Sequence, residues 1–132
     1  MIIEGVSASD FENHRGRVLP FLEEFAASSQ GRVSADLLET GILEKTRQLW
    51  VIGTGRVQAV CLTSVGPDNV NIDFCAGVER EKWQVELDNT IKGWAKRLGK
   101  HYIIATVRPG WAKFGKSRGY KEKHREMVLE LR

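Results

Sequence analysis

The 132-residue chain is poor in the features that mark several protein classes. No apolar run approaches the ~18 residues of a membrane span, so no membrane-spanning helix is expected. The opening stretch "MIIEGVSASDFENHRGR" has no basic segment leading into a long apolar one, so no secretory signal is expected either. Only two cysteines occur, and neither they nor the three histidines fall in a metal-binding spacing. No metal site is therefore expected, and the scarcity of cysteine suits a reducing compartment such as the cytoplasm. Repeats, low-complexity tracts and linkers are absent, which leaves a single domain over 1–132. A more local absence matters later: from Val78 to Lys92 there is no glycine.

What is present is globular in kind, with 42% hydrophobic and 28% charged residues. The net charge of +3 hides a division. Residues 1–91 hold 8 Lys/Arg against 14 Asp/Glu, whereas 92–132 hold 12 against 3. From Lys92 to Arg125 the only acid is Glu122. Lys113, Lys116, Arg118, Lys121 and Lys123 are the candidate contacts of this block with an acidic protein or a nucleic acid. A solvated basic face accounts for the same composition. The interleaved aromatics of an RNA-binding sheet are missing.

Along the chain, Ile2 to Val6 reads as a short strand, and "SASD" offers a helix cap. Val18, Phe21, Leu22 and Phe25 share one helical face, with Gly16 and Pro20 placing the secure start of that helix near Arg17. A second helix follows Ser34, with Leu37, Leu38, Ile42 and Leu43 as its apolar side. The period then changes to two. "RQLWVIGTGRVQAVCLTSVGPDNVNIDFCAG" reads as three strands turning at Thr54-Gly55 and Pro67-Asp68. With Val65 opposite Val70, an unbroken register sets Thr63 against Ile72 and Cys61 against Phe74. Cys61 and Cys75 then face opposite ways and cannot pair.

Helical periodicity returns from Arg80 to Leu98, where Trp83, Leu87, Ile91, Trp94 and Leu98 form a stripe ended by Gly99. Gly93 inside it marks close packing on the sheet. "HYIIATV" is apolar on both faces, as in a central strand. "RPGWAKFGKSRGY" gives a short helix. A last strand follows, in which Arg125, Met127, Leu129 and Leu131 alternate with His124, Glu126, Val128 and Glu130.

The segments "IKGWAKRLGKHYIIATV" and "KSRGYKEKHREMVLEL", in this order of elements, resemble the central helix, fifth strand and closing Gly-aromatic turn of the GNAT N-acetyltransferase superfamily. The resemblance covers essentially the whole chain. It implies an α/β (α+β) fold, with a mixed, mostly antiparallel sheet of about six strands and about four flanking helices. Its general look is that of the short phage-encoded GNAT-like proteins, some of them carried in virions, which would put the chain in host cytoplasm or virion.

In that family a Gln/Arg-x-x-Gly-x-Gly/Ala loop before the central helix binds the pyrophosphate of acetyl-CoA through backbone amides. The matching segment here is Glu79 to Gln84, with no glycine and two glutamates. Acids in a first helical turn compete with an anion for the same positive end. Cys75, Gly77, Arg80 and Lys82 are the residues left to contact an acyl-CoA. The family's general-acid tyrosine falls on Gly115, beside Phe114, and Tyr120 takes the place of a packing aromatic.

Asp73 is the candidate base, or else a polar residue continuing Asn69 and Asn71 on a solvated strand face. His101 and His124 read as surface histidines, and His14 has no assigned role. Trp50, Trp83 and Trp94 read as core, and Trp111 as a cover over the sheet end. The expected function is a non-catalytic binding or assembly module that uses no cofactor. An acyl-CoA-dependent N-acetyltransferase is the alternative, and a nucleic-acid-binding module ranks third.

Overall fold

Ser7 closes the first strand, β1 (Ile2–Val6), by accepting the Asp10 amide on its hydroxyl at 3.2 Å. The 3-10 turn so formed, Ala8–Asp10, feeds directly into α1 (Phe11–Ala27). This is seen in a computed structural model that describes residues 1–124 and 126–131. The helix starts six residues before the expected Arg17 and keeps Pro20 inside it. Burial decides this. Phe11, Val18, Leu22 and Phe25 are all buried, at about 1.5–3 kcal/mol each, which outweighs the roughly 3 kcal/mol penalty of one interior proline facing water.

Ser34 caps α2 (Ala35–Leu43) by accepting the Leu37 amide at 3.1 Å. Its apolar stripe is narrower than expected. Leu38 and Ile42 are buried, while Leu37 and Leu43 face solvent.

The three expected strands are β2 (Gln48–Gly53), β3 (Ala59–Val65) and β4 (Asn69–Gly77). The β2–β3 turn needs its glycine, because Gly55 sits at φ +80°. The sheet order is β1-β2-β3-β4-β5, antiparallel except where β5 (Tyr102–Ala105) lies parallel to β4. The parallel pair is joined by a crossover through α3 (Gln84–Arg97). The chain then enters α4 (Pro109–Ser117).

The sheet has two covered faces. Leu49, Val51, Val60 and Leu62 pack against α1 and α2. Ile52, Ala59, Cys61, Val70 and Ile72 pack against Trp83, Leu87, Ile91 and Ala95 on the other side.

Four expectations are corrected here. The central helix begins at Gln84 rather than Arg80, because Glu79 takes a left-handed backbone (φ 54°) and Arg80–Lys82 make only a 3-10 turn. Leu98, expected at the end of its stripe, is exposed, and Ala95 fills the buried position. The β5 strand lies at the sheet edge among the described residues, with Tyr102 and Ile104 exposed. Finally, 121–124 and 126–131 form no strand, and Met127, Leu129 and Leu131 are solvent-facing. Arg125, from the same expected strand, lies outside the described residues. A period of two gives a segment two distinct faces but does not supply it with a partner. Glu126 instead pairs with Arg32 at 3.0 Å.

Candidate functional site

The register of β3 and β4 is broken between Leu62 and Thr63. Thr63 pairs with Ile72 but Leu62 pairs with Phe74, so Asp73 is an inserted residue. Such a bulge bends its strand, and pairing resumes beyond it in a register shifted by one residue. On the other edge of β4 the ladder to β5 stops at the same point, with Ile72↔Ala105 and a last bond from the Thr106 amide to the Ile72 carbonyl at 3.2 Å. The β4 strand runs on to Gly77 while the chain after β5 turns toward α4. Asp73–Gly77 thus floor a wedge between two arms. The arms touch where an Arg80 Nη donates to the Gly110 carbonyl at 3.4 Å.

The arm between β4 and α3 is closed on itself. Trp83 is buried and its indole N–H donates to the Val78 carbonyl at 2.8 Å. Lys82 pairs with Glu79 at 3.1 Å, and the Lys82 amide bonds the Glu79 carbonyl. Glu79 holds the left-handed conformation that glycine adopts without strain. Gly77 serves the sheet rather than a ligand: a Cβ there would lie 2.3 Å from the Ala59 Cβ. A glutamate thus stands at the bend where the family's loop has glycine, and the Lys82 and Trp83 amides are taken by the Glu79 and Arg80 carbonyls.

The other arm is closely packed at Gly115. A Cβ on Gly115 would sit 2.4 Å from the Trp111 ring. That ring makes edge contacts with Phe114 and Tyr120, at 5.5 and 5.4 Å between centroids. Trp111 thus packs within its own arm, over the position that the resemblance gives to the family's tyrosine.

Tyr120 is committed elsewhere. Its hydroxyl donates to Asp88 Oδ1 at 2.8 Å, while Arg118 Nε and Lys92 Nζ reach Asp88 Oδ2, each at 2.8 Å. Burial and then the Asp88 hydrogen bond push the Tyr120 phenol well above its ordinary value, and its proton is engaged by Asp88. Burial of the Asp88 carboxylate works to raise it, but the donors Lys92, Arg118 and Tyr120 outweigh burial and hold it below the usual carboxylate value. The sequence reading passed over Asp88. Its signal is an acid between Leu87 and Ile91 on the apolar side of α3, four residues before Lys92.

Asp73 is partly buried and paired. Arg47 donates to its Oδ2 at 3.1 Å, and the guanidinium lies over the Phe74 ring, which stacks on Phe25. The ion pair with Arg47 engages one carboxylate oxygen, Oδ2.

Of the remaining candidates, Cys75 is exposed on the wedge floor, directly opposite the buried Cys61. The expected opposite placement of the two thiols is wrong, because the bulge shifts the register by one residue. His101 pairs with Asp68 at the exposed end of the sheet. His14 bonds Asp10 at 3.1 Å. Glu4, Asp10 and His14 bring ligating atoms within 4.8 Å of one another. Within that grouping Asp10 accepts a hydrogen bond from Asn13 and pairs with His14.

In the basic block, Lys113, Lys116, Lys121 and Lys123 are exposed. Arg118 is withdrawn from that face by Asp88 and Asn89. No helix among the described residues is long and apolar enough to cross a membrane.

No protein-family model and no curated protein matches the sequence. Solved structures do match. A probable acetyltransferase superposes with a TM-score of 0.74 at 14% identity, over 100% of this chain and 99% of its own. The ribosomal-protein-alanine N-acetyltransferase of Brucella melitensis also gives 0.74, at 10% identity over 99% and 100%. An aminoglycoside N-acetyltransferase in complex with CoA gives 0.70, at 12% identity over 99% and 94%. The chain has the GNAT fold, a mixed α/β arrangement around a mostly antiparallel sheet.

Proposed function

We propose that this protein is a GNAT-fold binding or assembly module that does not carry out acyl transfer. The observation that supports this most is the Trp111 ring packed against Gly115, where a proton donor would have to stand. The self-closed Glu79–Lys82 turn and the Asp73–Arg47 pair add to it. On this reading the scaffold is kept for its surface. Lys113, Lys116, Lys121 and Lys123 meet an acidic protein partner, and the short GNAT-like proteins of phage virions are the setting it resembles. Calorimetric titration with acetyl-CoA, and with desulfo-CoA as a second ligand, tests the reading. No saturable heat at millimolar ligand is the expected result, and micromolar binding would overturn it.

One observation favours a second reading, an acyl-CoA-dependent N-acetyltransferase. The β4–β5 wedge is still open beyond Ile72 and Ala105, and an aminoglycoside N-acetyltransferase of the same fold is known in complex with CoA. Micromolar binding would favour it, and Asp73→Asn would then be the variant to assay for lost transfer.

A further inference from the structure

The bulge that opens the wedge also brings the two cysteines of the chain together. With Asp73 inserted, Cys61 and Cys75 become direct partners across β3 and β4. Directly opposed residues of an antiparallel pair have Cα atoms about 4.5–5.5 Å apart. A disulfide spans about 4.4–6.8 Å between Cα atoms, so no backbone movement is needed to join them. Both are free thiols, and they differ sharply in access. Cys61 is fully buried in the cluster with Trp83, Leu87 and Ile91, whereas Cys75 is exposed on the wedge floor. The Cys75 thiol beside it, and then burial, push the Cys61 thiol well up. One thiol is open to attack a reagent and the other is shielded from solvent but adjacent to the first. That is the division of labour of an attacking and a resolving cysteine.

We propose that Cys75 and Cys61 form a two-thiol oxidation site for low-molecular-weight disulfides. The Cys75 thiolate attacks one sulfur of a small disulfide RSSR. A bond forms between Cys75 Sγ and that sulfur, the original S–S bond breaks, and RS⁻ leaves and takes up a proton. Cys61 then attacks Cys75 Sγ and passes its proton to the departing sulfur, forming the cross-strand disulfide and expelling the second group as RSH. Two protein thiols are oxidised by two electrons, and one RSSR is reduced to two RSH. The product bond ties β3 to β4 just past the bulge and fixes the wedge floor. The proposal rests on the reading that the wedge floor around Cys75 is not covered by an acyl-CoA.

The test treats the full chain with excess oxidised glutathione, alkylates it in denaturant, and measures intact mass without reduction. The wild type is expected to end as a monomer two hydrogens lighter, with no alkylated cysteine, and to be restored by dithiothreitol. Cys61→Ala should stop at one glutathione on Cys75, and Cys75→Ala should remain unmodified. A wild type that keeps a glutathione on Cys75 with Cys61 alkylatable would overturn the proposal. So would a covalent dimer through Cys75, or protein left unmodified. Should Cys61→Ala not fold, peptide mapping of the oxidised wild type decides, because a Cys61–Cys75 cross-linked peptide is required and its absence is contrary.

Discussion

A side chain at position 115 would share its space with the indole of Trp111, so a tyrosine there cannot be restored by substitution alone. Gly115→Tyr is expected to lose about 1–3 kcal/mol of stability in urea denaturation, as overpacked sites do, and Trp111→Ala in the same chain should recover part of it. Unchanged stability in the single variant would mean the site is open. Asp88 makes the second prediction at this scale. Its folded pKa lies below the ordinary carboxylate value, so its contribution is present above that value and is lost as pH falls through the folded one. Asp88→Asn should therefore be about 3 kcal/mol less stable at pH 7 and lose less than wild type on acidification below about pH 4. Parallel pH–stability curves would contradict the hub. The family resemblance places Gly115 where many members carry a tyrosine. It does not show that Trp111, four residues earlier, covers the gap, because one helical turn sets two residues side by side without fixing a ring's rotamer.

Elements were legible wherever one apolar face is buried. The α1 face, the three consecutive strands and the Gly99 end of α3 follow from periodicity and turn chemistry. What was not legible came from packing that outweighs a local signal. Pro20 is carried inside α1 by four buried side chains, and Asp73 breaks a register that looks continuous on paper. That single inserted residue reversed the reading of both cysteines. Gly93 is a further case: a Cβ there would meet only the tip of Arg97 at 3.4 Å, so close packing does not require the glycine. Gly93→Ala is expected to stabilise the chain by about 0.5–1 kcal/mol, seen as a higher Tm. A lower Tm would show that α3 needs the glycine after all.

For the whole molecule, the order of elements carried the fold while single residues carried the doubts about chemistry. The scaffold is that of acetyltransferases, yet its two arms are filled and tied by the chain's own side chains. The positive charge lies mostly in the last third, and reversing it tests its role without touching the core. Lys113, Lys116, Lys121 and Lys123 changed together to Glu should leave stability within about 2 kcal/mol, since exposed sites contribute roughly 0.5 kcal/mol each. The same variant should elute from a heparin column at distinctly lower salt than wild type. Equal retention would show that another surface carries the charge effect.

We propose that the wedge, open beyond Ile72 and Ala105, does not serve as a cofactor site. Backbone amide NMR during an acetyl-CoA titration tests it most directly, because it reads the wedge floor and the closed turn residue by residue. The amides from Asp73 to Gln84 are predicted to stay in place up to millimolar ligand. Saturating shifts confined to those residues would contradict the account.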